Sequence, residues 1–180
     1  MIILETERLI IRNFKADDWM DLSELAMKYE ETELAKYDEG PWPDNQEDYM
    51  GIAEGFAKGD DFLAVVLKEN SKLIGLIFKG DKGNGKYEFG FNFHYNYHGK
   101  GYATESCKVV LDFMFRELEA EIVIAGTAKV NKPSNNLINR LGFEFVGEKN
   151  ISFRKDEKGN PIEFVGVDYS LMRKNWSLSE

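Results

Sequence analysis

The sequence predicts a mixed α+β protein built on a partly antiparallel sheet. Three observations carry this. Strand-like segments outnumber helical ones, and tight turns join the three central strands. A strand, a helix and a further strand then follow in βαβ order, which implies one parallel pair.

Taken in order, residues 8–12 (RLIIR) read as a short strand ended by Asn13. Ala16 to Met27 reads as a helix, with Trp19, Met20, Leu22, Leu25 and Ala26 at near-helical spacing. The stretch YDEGPWPDN is turn chemistry. Gln46 to Lys58 is a second helix, although Gly51 and Gly55 weaken its propensity. Phe62 to Leu67 and Leu73 to Phe78 flank ENSK, a hairpin turn, and DKGNG makes the next turn. From Tyr87 to Tyr97 every odd position is aromatic and every even one is polar or glycine, which predicts a strand of that length. Tyr102 to Leu118 carries an apolar helical stripe that includes Cys107 and Val110. Ile122 to Ala128 is a short strand. Pro133 to Leu141 is a short helix, with Pro in its first turn and Gly142 just beyond its end. Phe143 to Phe153 and Ile162 to Met172 are strands around DEKGNP. The total is seven strands and four helices.

The 180 residues suit one domain, 1–180, with no linker or internal repeat. The 24 aromatic residues supply ample surface for a core. One cysteine and two histidines argue against a disulfide framework and against a metal site. A net charge of −9 argues against nucleic acid as a partner. No apolar run reaches membrane length and no leader pattern opens the chain, so a cytoplasmic location is expected. The charge is uneven. Residues 28–61 hold 11 acids against three bases, a net of −8, so nearly all the excess lies there.

The junction HGKGYA, between the aromatic strand and its helix, is the strongest chemical feature. Gly99 and Gly101 let backbone approach a ligand, Lys100 adds charge, and the helix start offers free N–H groups. Together they suit a pyrophosphate. By itself such a loop can equally be a turn that binds nothing.

HGKGYATES resembles the acyl-CoA loop of the GCN5-related N-acetyltransferases (GNAT), with His98 where that family usually has Arg or Gln. The opening TERLIIR, the segment NKPSNNLINRLGF and the ending YSLMRKNW are similar to the branch that acetylates ribosomal-protein N-termini. The resemblance implies a splayed mixed sheet holding acetyl-CoA between its two parallel strands. It puts pantetheine on the backbone of Phe91, Asn92 and Phe93, pyrophosphate on His98, Gly99, Lys100, Gly101, Tyr102 and Ala103, and a further contact on Asn131. Asn131 is also a natural helix N-cap. The implied reaction is acetyl transfer to a primary amine by direct attack, without a metal.

Glu88 is the candidate base, with His94 on the same strand face as a second. The family's tyrosine acid falls on Ile138, which leaves Ser134, Tyr169 or no acid at all. Cys107 reads as core. In that family the early acidic segment borders the acceptor, so Tyr37, Asp38, Glu39 and Trp42 are acceptor candidates. Carboxylates beside aromatics suit a cation such as a polyamine, an aminoglycoside or a basic peptide N-terminus. A homodimer is compatible with this reading. The competing readings are a non-catalytic CoA-binding sensor on the same fold and a nucleotide-phosphate binder.

Overall fold

A computed structural model describes residues 1–176. Eight strands form one sheet: β1 (Ile3–Glu5), β2 (Leu9–Asn13), β3 (Phe62–Leu67), β4 (Leu73–Asp81), β5 (Lys86–Phe93), β6 (Ile122–Ala128), β7 (Glu144–Lys155) and β8 (Pro161–Met172). Four helices accompany them: α1 (Trp19–Glu30), α2 (Gln46–Ala57), α3 (Tyr102–Arg116) and α4 (Lys132–Arg140). The strand order is β1-β2-β3-β4-β5-β6-β8-β7.

At β3 and β4 the sheet is buried on both faces, which explains why β3 reads as an unbroken apolar run, FLAVVL. Alternation along β3 sends Leu63, Val65 and Leu67 to the face packed by α3, together with Phe89, Val110 and Leu111. Ala64 and Val66 go to the other face, under Leu22 and Leu25 of α1 and Tyr49 and Ala53 of α2.

β5 and β6 form the one parallel pair. They pair over three residues, Lys86–Glu88 against Ile122–Ile124, and then diverge. β5 continues on β4 and β6 on β8, so the sheet splays into a gap beyond Glu88.

Several bounds differ from expectation: β4 runs on to Asp81 and α1 to Glu30, and two further differences bear on the site. β1 is an eighth strand that pattern could not show, because its three residues are not buried on one face. The aromatic strand ends at Phe93 rather than Tyr97. Residues 95–97 turn in a single 3₁₀ turn, whose Asn96 amide donates to His94 Nδ1 at 3.2 Å. The alternation outlasts the strand because the turn returns Tyr97 to the α3 face, while Tyr95 faces solvent.

Among the described residues no helix is long and apolar enough to cross a membrane, and no three His, Cys, Asp or Glu side chains are grouped to hold a metal ion.

Candidate acyl-transfer site

The splay leaves one edge of β5 without a strand partner. The His94 amide donates to the Ile74 carbonyl on the β4 side at 2.9 Å. Backbone groups alternate along a strand, so Asn92 also faces β4, while Phe91 and Phe93 face the gap. Of the three expected backbone contacts, only these two are presented. The Phe93 carbonyl accepts from His98 Nε2 at 2.8 Å. His98 therefore ties the loop to the strand end.

Gly99 and Gly101 both have positive φ, +73° and +84°, where a side chain is strained. The Lys100 carbonyl between them is turned away and accepts from Arg8 Nη1 at 3.0 Å. Arg8 is held in turn. Its Nε and Nη2 donate to Glu105 at 2.8 and 2.6 Å, and its guanidinium lies 4.3 Å from the Tyr102 ring centre. Thr6 Oγ1 donates to the other Glu105 oxygen at 2.5 Å. This contact explains why TER near the start and YATES at α3 belong to one pattern. With the carbonyl drawn back, no group among the described residues accepts from the amides of Gly99 to Thr104. Six N–H groups at a helix N-terminus form a cradle for a doubly charged phosphate group. Ala103 and Tyr102 sit in its first turn, and Lys100 Nζ stands 5.3 Å from the Tyr97 ring centre. The residues present fit a pyrophosphate-bearing acyl carrier.

Across the gap, Asn131 is the N-cap of α4, its side chain accepting from the Ser134 amide at 3.2 Å. Asn135, which sequence reasoning missed, locks this helix to the sheet. Its Nδ2 donates to the carbonyls of Ala128 and Asn131 at 3.0 and 2.7 Å, and its Oδ1 accepts from Tyr169 Oη at 2.6 Å. Tyr169 is buried and committed to that bond. Ile138 is buried core. Ser134 remains half-buried in the first turn of α4.

Glu88 sits at the last paired position before the splay. Its partner is Lys82, 2.6 Å away, and both side chains are nearly half exposed. The pKa of the Lys82 ammonium is raised, first by this bond. His94 is buried and structural. Nδ1 accepts from Asn96, so Nε2 carries the proton and donates to Glu24 at 3.1 Å. Burial pushes the Cys107 thiol far above its ordinary range, consistent with core rather than nucleophile.

The four acceptor candidates do not converge. Tyr37 packs on Phe164 of β8, ring centres 5.0 Å apart, and Trp42 stacks on Tyr49 at 6.2 Å. Glu39 is exposed. Asp38 is exposed as a residue, but its carboxylate is partly desolvated near the Tyr29 hydroxyl, and that desolvation raises its pKa. A half-enclosed, mostly apolar cleft of about 220 Å³ lies beside this loop, lined in part by Tyr29, Phe93, Tyr95, His98 and Pro133. It joins α1, the end of β5 and the start of α4.

A splayed parallel pair beside a helix-capped anion loop is the arrangement of an acyltransferase fold. The acetyltransferase (GNAT) domain model matches residues 8–144, and the chain belongs to that family of N-acetyltransferases. It is 32% identical to the uncharacterized N-acetyltransferase YnaD of Bacillus subtilis, over 97% of this chain and 99% of that one. In fold it resembles the ribosomal-protein-S5-alanine acetyltransferase of Vibrio fischeri (TM-score 0.80, 19% identity, 98% of this chain and 100% of that one). It also resembles RimJ of Mycobacterium smegmatis in complex with CoA-disulfide (TM-score 0.75, 16% identity, 96% and 84%).

Proposed function

We propose that the whole chain acts as one acetyl-CoA-dependent N-acetyltransferase whose acceptor is a cationic primary amine. One observation carries the cofactor assignment: six unpartnered amides, Gly99 to Thr104, beside the gap where β5 leaves β6. The acceptor assignment rests on the excess negative charge of residues 28–61, a segment that borders the cleft through Lys28, Tyr29, Thr32 and Leu34.

An alkyl ammonium with a pKa near 10 is neutral about one time in a thousand at pH 7. A base must therefore take its proton. Glu88, at the mouth of the splay, is that base in this reading, directly or through water. The amine attacks the thioester carbonyl, and the developing oxyanion takes a hydrogen bond from an outward β5 amide, Phe91 or Phe93. The carbon–sulfur bond then breaks and the thiolate leaves with the electron pair. Ser134 is the remaining hydroxyl candidate to protonate it, since Tyr169 is committed and position 138 is apolar.

Thiol release from acetyl-CoA, followed with a colorimetric thiol reagent over spermidine, neomycin and peptides with free N-termini, tests this. Turnover fastest with polycationic amines is expected, with KM rising with salt because screening acts over about 8 Å at 0.15 M. A best acceptor that is neutral or anionic would remove the cationic assignment. Thermal stabilisation by acetyl-CoA with no turnover would favour the sensor reading, which buried Ile138 in place of a tyrosine supports.

A further inference from the structure

One residue ties the 38–42 loop to β7. Arg154, near the end of β7, grips Glu30, the last residue of α1, with two bonds of 2.9 Å. Its Nε donates to the Asp38 carbonyl at 3.1 Å and its Nη2 to the Gly40 carbonyl at 2.6 Å. Glu30 also accepts from the Trp42 amide at 3.1 Å. One ion pair therefore gathers the backbone of residues 38, 40 and 42. The pair is sheltered, with side chains 14% and 22% exposed. A planar guanidinium can serve two carboxylate oxygens and two carbonyls at once, whereas an ammonium has three donors and no fork.

What the pair holds faces the chemistry. The Asp38 carboxylate lies within electrostatic reach of the Tyr29 hydroxyl, and Tyr29 lines the cleft beside Lys28, Phe93, His98 and Pro133. On the loop's other side, Glu39 lies within electrostatic reach of Lys82, the partner of Glu88.

We propose that Arg154 is a positioning residue for the acceptor, holding the 38–42 loop, and with it the Asp38 side chain, beside Tyr29 of the cleft where an ammonium docks. This deepens the acetyltransferase reading and rests on it. The charge logic is specific. Burial is the largest influence on Asp38 and raises its pKa; Glu30 and Glu39 raise it further, while the Tyr29 hydroxyl and Arg154 lower it. Losing Arg154 removes a cation from this group, so Asp38 holds its proton to higher pH. A staple with no part in acceptor binding would not move an acceptor pH profile.

The test compares Arg154→Met, Arg154→Lys and Glu30→Gln with wild type, using acetyl-CoA with spermidine, neomycin and a basic peptide carrying a free N-terminus. Arg154→Met is expected to raise the acceptor KM at least tenfold while acetyl-CoA affinity stays within twofold. The acidic limb of acceptor kcat/KM should move to higher pH. Arg154→Lys should recover only part of the KM, because it cannot make the four bonds. Unchanged acceptor KM, or KM and acetyl-CoA affinity lost together, would overturn the proposal. Should Arg154→Met fail to fold, Glu30→Gln carries the test: it keeps the amide bond to Trp42 and must raise acceptor KM, and an unchanged KM overturns the proposal equally. Wild type that binds acetyl-CoA yet acetylates none of the three amines would refute the cationic-amine transfer reading, and this proposal with it; that result is read from wild type alone.

Discussion

Gly101→Ala probes the phosphate cradle at its tightest point. Gly101 has φ +84°, and a left-handed conformation costs an L-residue about 1–2 kcal/mol. The new Cβ would also stand 3.3 Å from Arg8 Nη2, closer than ordinary contact. Arg8 cannot simply swing away, because Glu105 and the Lys100 carbonyl hold it. The loop then has two options. It keeps its shape and the protein loses the strain energy, or φ reverts and the amides from Gly101 onward leave the cradle. Gly99→Ala is the control: its φ is +73°, yet nothing lies within 4 Å of its Cβ, so only strain applies. Urea denaturation and calorimetric titration with CoA should be run on both variants. Each is expected to lose about 1–2 kcal/mol of stability. Gly101→Ala should weaken CoA binding at least tenfold, about 1.4 kcal/mol, and Gly99→Ala less. If Gly101→Ala binds CoA like wild type and unfolds at the same urea concentration, the left-handed turn does not build the anion site.

Glu88→Gln should lower kcat by roughly 10²-fold near pH 7 with CoA affinity retained, as steady-state rates and titration would show; full activity would move the base elsewhere. Cys107 should resist a thiol reagent in the native protein and react once in denaturant, since it is completely buried with its thiol pKa raised. Glu105 is held below its ordinary 4.5, against a burial effect that alone would raise it, by bonds from Thr6 and Arg8. Its folded pKa is depressed, so it contributes stability above about pH 4.5 that is lost as pH falls through the lower folded value. Glu105→Gln should flatten the stability profile over that acidic range, measured by thermal melts.

The local patterns were legible wherever one segment answers to one field. The aromatic alternation around Phe89, the apolar stripe of α3 and the glycines at 99 and 101 each state their own conformation, because a period or a positive φ is a property of a few consecutive residues. The anion loop, and through it the family, could therefore be read from the chain. Tertiary structure decided the rest, because the relevant partners are distant in sequence. Arg8 reaches Glu105, Tyr169 reaches Asn135, and Arg154 reaches Glu30. None of these pairs has a spacing that signals contact. The same applies to the residues expected to form an aromatic and acidic acceptor site. Tyr37 and Trp42 looked like neighbours in one loop, but each turns to the nearest apolar surface, Phe164 and Tyr49. Composition set the charge of that loop; only packing determined which of its carboxylates are already engaged and which still face solvent.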